Sequence, residues 1–316
     1  MNRILITGAT GFVGQAVCAH LQNHGVVVRA ALRKKSAVGS WDEQAVVGNI
    51  DGATEWRQAL NGVDGVIHLA AKVHVMAPTT KSLDEFRQVN IEGTRRLAES
   101  AAAAGVKRLV FLSSIKVNGE ATLPGQPFTA LSVPHPLDPY AQSKFAAEEC
   151  INKVRTLTGM DTVILRTPLI YGVGAKGNLA ILAQWANSAH YLPLGGITNQ
   201  RSLIGLDSLA GALEIALFHE SAAGRLFLTA ETPAVSTSQI ITALRRGFGR
   251  SDRLISMPQR FWRLAAVFPG VAAQVRRLTD SLVIEDPGLR QLGWHPGDPL
   301  VGLRAMAAHS RSSRVS

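Results

Sequence analysis

Residues 7–14 read Thr7-Gly8-Ala9-Thr10-Gly11-Phe12-Val13-Gly14, directly after the apolar run Ile4-Leu5-Ile6 and at the start of a helical pattern over Phe12 to His24. A strand that runs into three glycines and at once into a helix offers backbone amides and a helix N-terminus to a pyrophosphate. Gly8 predicts a tight turn, Gly11 a close approach by a dinucleotide, and Gly14 contact of the helix with the strand. Phe12 and Val13, in the first turn, join the glycines as candidate cofactor-binding residues. A glycine-rich turn alone is a weak signal; the strand before it and the helix after it make it specific.

The pattern repeats along the chain. Strand-length apolar runs fall at Val26 to Leu32, Ala45 to Val47, Val66 to Leu69, Leu109 to Leu112 and Val163 to Leu165, with helical stretches such as Asp84 to Ala104 among them. Strands alternating with helices predict an α/β fold, a doubly wound parallel sheet with helices on both faces. After about Arg166 the rhythm loosens at Gly172, Gly174, Gly177, Pro193 and Gly195-Gly196. The expectation is a first domain over residues 1–166 and a smaller C-terminal region over 167–316, some of whose elements return to the first. The polar tail Ser310 to Ser316 is expected to fray.

Composition narrows the class. At 316 residues and 46% apolar, the chain can fill a large core. Only Cys18 and Cys150 occur, with no CxxC and no His/Cys cluster at metal-ligand spacing along the chain. Neither a disulfide framework nor a metal site is expected, and a reducing cytoplasm fits. The run Ile4 to Ile6 is too short for a secretory segment. The stretch Phe261 to Val275 is broken by Arg263 and Pro269 and is too short to span a bilayer, so it reads as an amphipathic helix with peripheral membrane contact left open. The net charge of +10 fits nucleic acid, an anionic membrane or anionic small molecules. Much of it sits on Arg245, Arg246, Arg250, Arg253, Arg260, Arg263, Arg276 and Arg277, spread over helical segments rather than forming a tail with interleaved aromatics, which favours a solvated basic face over nucleic-acid binding.

The chemistry is carried by Tyr140 and Lys144. Four residues apart on a helix, they share one face, so the ammonium can favour the ionised phenol. Such a phenol exchanges a proton with an alcohol or ketone near neutral pH. Pro136-Leu137-Asp138-Pro139 reads as the helix entry. His68, His74 and His135 are scattered and receive no catalytic role.

Taken in order, Gly8, Gly11 and Gly14, then His68-Leu69-Ala70-Ala71, Asn90, Ser113-Ser114, Tyr140 with Lys144, and Arg166 before Tyr171-Gly172 resemble the extended short-chain dehydrogenase/reductases, the NAD-dependent epimerase/dehydratase family. The resemblance covers most of the chain. It implies a Rossmann fold, a nicotinamide cofactor and a UDP-sugar substrate. It makes Ser114 the third catalytic residue, hydrogen-bonding the reacting oxygen, with Ser113 the fallback. It places Leu69, Ala70 and Ala71 along the adenosine side, with Asn49 and Ile50 near the adenine, and gives Asn90 a part in holding the site. Tyr140 and Lys144 also face the cofactor. Where an NAD-selective site carries an acid, at about Leu32, this chain has none; Arg33 and Lys34 follow, which favours NADP(H) over NAD(H). Arg166, Asn178 and Arg201 fall where relatives hold the nucleoside diphosphate; Ser113 and Lys116, the latter standing where many relatives carry a small residue, are further candidate substrate contacts, and relatives often form homodimers through the helices bearing Asn90 and Tyr140.

Three readings follow. The segments Ser113 to Glu120 and Pro124 to Phe128 resemble enzymes of bacterial surface-polysaccharide synthesis, including O-antigen, that reduce a UDP-linked 4-keto-6-deoxy-N-acetylhexosamine, which makes a carbon-4 reductase the leading reading. A UDP-hexose 4-epimerase is the alternative. A redox-inactive NADP-binding regulator is the third, opposed by the intact Ser114, Tyr140 and Lys144 set.

Overall fold

The computed structural model describes residues 3–73, 80–268 and 270–312; His74 and the last four residues of the polar tail lie outside them. β1 (Arg3–Thr7) enters α1 (Phe12–Asn23), followed by β2 (Val27–Leu32), β3 (Glu43–Val46), a single turn α2 (Arg57–Leu60) and β4 (Gly65–His68). α3 (Thr80–Glu85), a π-helical stretch Phe86–Glu92 and α4 (Gly93–Ala103) follow one another before β5 (Arg108–Ser114). α5 (Pro139–Thr158) and β6 (Asp161–Thr167) come next, then β7 (Leu169–Tyr171), α6 (Asn178–Asn187), β8 (Leu203–Gly205), α7 (Leu206–Phe218) and β9 (Leu226–Leu228). The remainder is helical: α8 (Thr237–Gly247), α9 (Gln259–Ala265), α10 (Ala272–Thr279), α11 (Gly288–Gln291) and α12 (Pro299–Ser312).

Seven strands form a parallel sheet in the order β3-β2-β1-β4-β5-β6-β9. The winding reverses between β1 and β4, whose last residues Thr7 and His68 sit side by side. The carboxyl ends of those strands therefore open a crevice at the switch point, where doubly wound sheets bind ligands. Two cores flank the sheet. One joins Ile4, Ile6, Val17, Leu21, Leu209, Leu213 and Phe227; the other joins Leu5, Leu60, Leu97, Leu109, Phe111, Ile151 and Ile164. A third cluster, with Leu179, Leu182, Leu203, Ile240, Leu244 and Leu303, is the core of the C-terminal region. Among the described residues no helix is long and apolar enough to cross a membrane.

The strands depart from the apolar runs at their ends. β5 and β6 run on through Ser113, Ser114, Arg166 and Thr167, because these polar residues keep the ladder pairing Ser113 to Arg166 and Ser114 to Thr167. β7, β8 and β9 have three residues each, too few for an alternation to register. α7 and β9 rejoin the main sheet. α7 packs the buried side chains Leu209, Leu213 and Leu217 against the α1 side of the sheet, and His20 Nε2 and His24 Nδ1 reach Glu214 on α7 at 2.8 and 2.6 Å.

Two of the three glycines are required sterically. Gly8 has φ +71°, and a Cβ there would lie 2.8 Å from the Ala70 nitrogen; at Gly14 it would lie 2.1 Å from the Gly8 carbonyl oxygen. The β1 turn is thus closed against both α1 and the end of β4. Gly14→Ala is predicted to push the Gly8 carbonyl out of place and to destabilise the protein by about 1–3 kcal/mol, the usual cost of overpacking. Urea unfolding measures it, and an unchanged midpoint would contradict this account of the turn.

Candidate active site

The glycine turn, Arg33, Leu69 and Ser114 all stand at the carboxyl ends of neighbouring strands. α1 starts at Gly11 with no side-chain cap, which leaves the first-turn amides of Phe12, Val13 and Gly14 for an anion. A cradle closed to any Cβ, an uncapped helix start and a switch-point crevice together fit a dinucleotide pyrophosphate.

A buried hydroxyl organises the floor. Thr7 Oγ1 accepts from the amides of Leu69 and Ala70 at 3.2 and 3.1 Å and lies 2.6 Å from His68 Nδ1. With both acceptor positions used, its proton goes to Nδ1, so the ring carries its proton on Nε2 and donates to Thr94 Oγ1 at 2.9 Å. His68 is fully buried, and burial, helped by the Lys144 charge, pushes its pKa down to about 3. It is a neutral structural histidine. The loop after β4, which bears Ala70 and Ala71, is held from the other side by Asn90. That side chain bonds the Lys72 amide and carbonyl at 2.7 and 3.0 Å and donates to Ser143 Oγ at 2.9 Å. Ser143 in turn donates to the Tyr140 carbonyl.

Tyr140 lies in the first turn of α5. Asp138 caps that helix by accepting from the Ala141 amide at 2.7 Å, and Pro139 opens it. Ser114 stands beside the Tyr140 phenol, where it favours the ionised form. Alternation along β5 separates the two serines: Ser114 turns toward Tyr140, whereas Ser113 bonds Glu148 and is buried. Lys144 is buried with its Nζ 3.9 Å from the centre of the Phe111 ring. Burial pushes Lys144 down to about 7 against the pull of Glu148, and pushes Tyr140 up to about 12, with the Asp138 charge adding and Ser114 opposing. The expectation that the ammonium would favour the ionised phenol is corrected for the ligand-free protein. Removal from water outweighs it, because a charged form loses more solvation in the crevice than one neighbour returns.

Behind the pair is a buried network. Arg166 donates to Glu148 twice, at 3.0 Å from Nε and 2.5 Å from Nη2, and to Asn118 Oδ1 at 3.1 Å. Three of the candidate residues are thus engaged within the protein. Arg166 is a structural ion pair inside the sheet. Ser113 spends its hydroxyl on Glu148. Lys116 is neutralised by Asp138 at 2.5 Å and Glu120 at 3.3 Å, so it ties the loop after β5 to the start of α5. Glu148, Thr7 and Asp138 were not singled out in the sequence. Glu148 had a signal, since it lies four residues after Lys144 on the same helix.

The remaining candidates lie further out. Arg33 and Lys34 are exposed just past β2, while Arg29 and Arg3 nearby both pair with Glu43. Asn49 is exposed, and Ile50 packs where a Cβ on Gly93 would fall. Asn178 is exposed at the start of α6; Arg201 donates to the Asp280 carbonyl at 3.2 Å, and burial lowers its pKa.

Lys144 gives a pH-dependent test. Its folded value of about 7 lies below the ordinary lysine value near ~10.4, so the unfolded chain binds more protons between them. The cost of the buried ammonium is full below about pH 7 and fades as pH rises toward the unfolded value. Lys144→Met is predicted to raise the Tm of the ligand-free protein at acidic pH, with the gap narrowing in alkali. A gap independent of pH would contradict the assignment.

Residues 4–227 match the model of the NAD dependent epimerase/dehydratase family. A UDP-glucose 4-epimerase of Vibrio cholerae is 35% identical over 302 residues, which cover 94% of this chain and 92% of that protein. A 2-alkyl-3-oxoalkanoate reductase of Stenotrophomonas maltophilia is 29% identical over 339 aligned positions, 98% of this chain and 99% of the relative. Among solved structures, a UDP-N-acetylglucosamine 4-epimerase from Bacillus cereus superposes with a TM-score of 0.79 at 20% identity, covering 99% of this chain and 100% of that one, which shows the shared fold.

Proposed function

Because the chain belongs to the NAD dependent epimerase/dehydratase family, we propose that it moves a hydride at carbon 4 of a UDP-linked hexose, and that it does so as a 4-epimerase. The observation that carries the chemistry is the placing of Ser114 beside the Tyr140 phenol, with Lys144 four residues on along α5, at a crevice suited to a dinucleotide. The 35% identity to a UDP-glucose 4-epimerase over 94% of the chain supports the hexose and the epimerisation.

A bound nicotinamide supplies the hydride acceptor and donor. The chain's own groups handle the proton. Tyr140 receives it from the carbon-4 hydroxyl as the ketone forms and returns it when the alcohol is restored. Ser114 donates to the same oxygen as charge builds on it. A phenol at about 12 is a weak base for this task at neutral pH, and Lys144, four residues on along the same helix, is assigned to supply, when protonated, the charge that would favour the ionised form. The Thr7, His68 and Asn90 bonds hold the loop at residues 69–72 against the crevice, so the oxygen is met in one geometry. Asn178 and Arg201, on the C-terminal region, are assigned to the nucleoside diphosphate.

A second reading has its own observation. Arg33 and Lys34 are exposed at the end of β2 with no acid at Leu32, an arrangement suited to a 2′-phosphate. It favours a reductase that exchanges NADP(H) and makes UDP-N-acetylquinovosamine from its 4-keto precursor in surface-polysaccharide synthesis. Purified protein offered UDP-glucose and UDP-N-acetylglucosamine separates the two. The epimerase reading expects the 4-epimer with no net change in nicotinamide. Stoichiometric NADPH oxidation by the 4-keto sugar, without epimerisation, selects the reductase. Tyr140→Phe is expected to lower kcat by about 10²–10⁴-fold in either case, and full activity in that variant would overturn the mechanism.

A further inference from the structure

From Arg253 to Thr279 the chain carries Arg253, Arg260, Arg263, Arg276 and Arg277 and not one Asp or Glu. The segment folds as α9 and α10 joined by residues 266–271. One side of it is anchored, since Trp262 and Leu278 pack against the C-terminal core and Val275 is buried. The other side is apolar and open to solvent: Phe261, Leu264, Val267, Phe268 and Val271 are all exposed, Val267 at 73% and Leu264 at 65%. Arg260, Arg276 and Arg277 are exposed on either flank. Large apolar side chains gathered on a surface mark an interaction site rather than ordinary scatter.

We propose that the α9–α10 segment docks on an anionic lipid bilayer, its apolar crest entering the headgroup boundary and its arginines pairing with lipid phosphates. Charge decides between occupants. A second copy of this chain, at net +10, would bring the same positive flank against this one, whereas an anionic bilayer complements it. Two helices of seven and eight residues with Phe and Leu at the crest and Arg at the borders suit insertion into the interface and are far too short to span. The surface is also wired to the proposed substrate side. The Leu278 carbonyl accepts from Asn199 and Thr237 at 3.1 and 2.7 Å, and the Asp280 carbonyl from Asn199 and Arg201 at 2.9 and 3.2 Å. Docking would hold the Arg201 loop close to the membrane plane. The docking itself stands on the segment and is independent of which sugar the crevice takes.

The test is co-sedimentation of the full chain with vesicles of phosphatidylcholine alone and of phosphatidylcholine mixed with phosphatidylglycerol. The protein is expected to bind the mixed vesicles, to lose that binding in high salt and to leave neutral vesicles largely in solution. Arg276→Gln with Arg277→Gln is expected to weaken binding about 30-fold, the combined effect of two arginines near an anionic surface. Leu264→Asp with Phe268→Asp is expected to abolish it. Both pairs are exposed, so the Tm and the turnover of soluble UDP-sugar should stay at the parent level. Failure of the parent protein to bind mixed vesicles, or equal binding by the Asp variant, would overturn the proposal. So would self-association abolished by the Asp pair with no lipid binding.

Discussion

The Glu148–Arg166 ion pair is the interaction on which the site's geometry depends. Both side chains are almost wholly shielded from water, at 3% and 4% exposure. Charges so placed persist only where every polar atom is met, and here Ser113, Asn118 and the doubled Arg166 contact meet them. The pair joins α5 to β6 and, through Ser113, to β5. It thereby fixes the rotation of α5 about its own axis. Tyr140, Lys144 and Glu148 follow at intervals of four, so a helix locked at Glu148 presents the other two toward the end of β5, where Ser114 waits. The pair proposed to be reactive is positioned by a structural one.

That arrangement leaves the crevice poor in compensating charge. Lys144 falls to about 7 and Tyr140 rises to about 12, while His68 is held neutral between two threonines. The ligand-free site is thus electrostatically unfinished: a buried ammonium over an aromatic ring, a phenol reluctant to ionise, and helix amides at α1 with no cap. In the proposed function, parts of a nicotinamide dinucleotide and a sugar hydroxyl would satisfy these groups, and the stability cost of Lys144 would be the counterpart of its use.

Much of this was legible in the chain. The glycine turn followed by a helix, the six apolar runs and the Tyr140–Lys144 spacing all rest on local pattern, and the parallel sheet they predict has its switch point where the glycines stand. What escaped was long-range. Arg166 and Lys116 look like free cations in sequence, because Glu148 and Asp138, which neutralise them, are 18 and 22 positions away. The resemblance put Ser114 ahead of Ser113, and the strand's alternation, which sends Ser113 to Glu148, adds a physical reason that the sequence lacked. Which of the C-terminal elements return to the first sheet, α7 and β9, was hidden by strands of three residues, and the π-helical stretch that carries Asn90 has no period of its own in the sequence.

Following a deuterium label at carbon 4 of UDP-glucose tests the central claim most directly. If Ser114, Tyr140 and Lys144 act on that carbon, mass spectrometry will find the label passing to the nicotinamide and back to carbon 4 of the product, with none released to water. Epimer that has lost its deuterium to solvent would mean that a proton rather than a hydride leaves carbon 4, and would contradict the account.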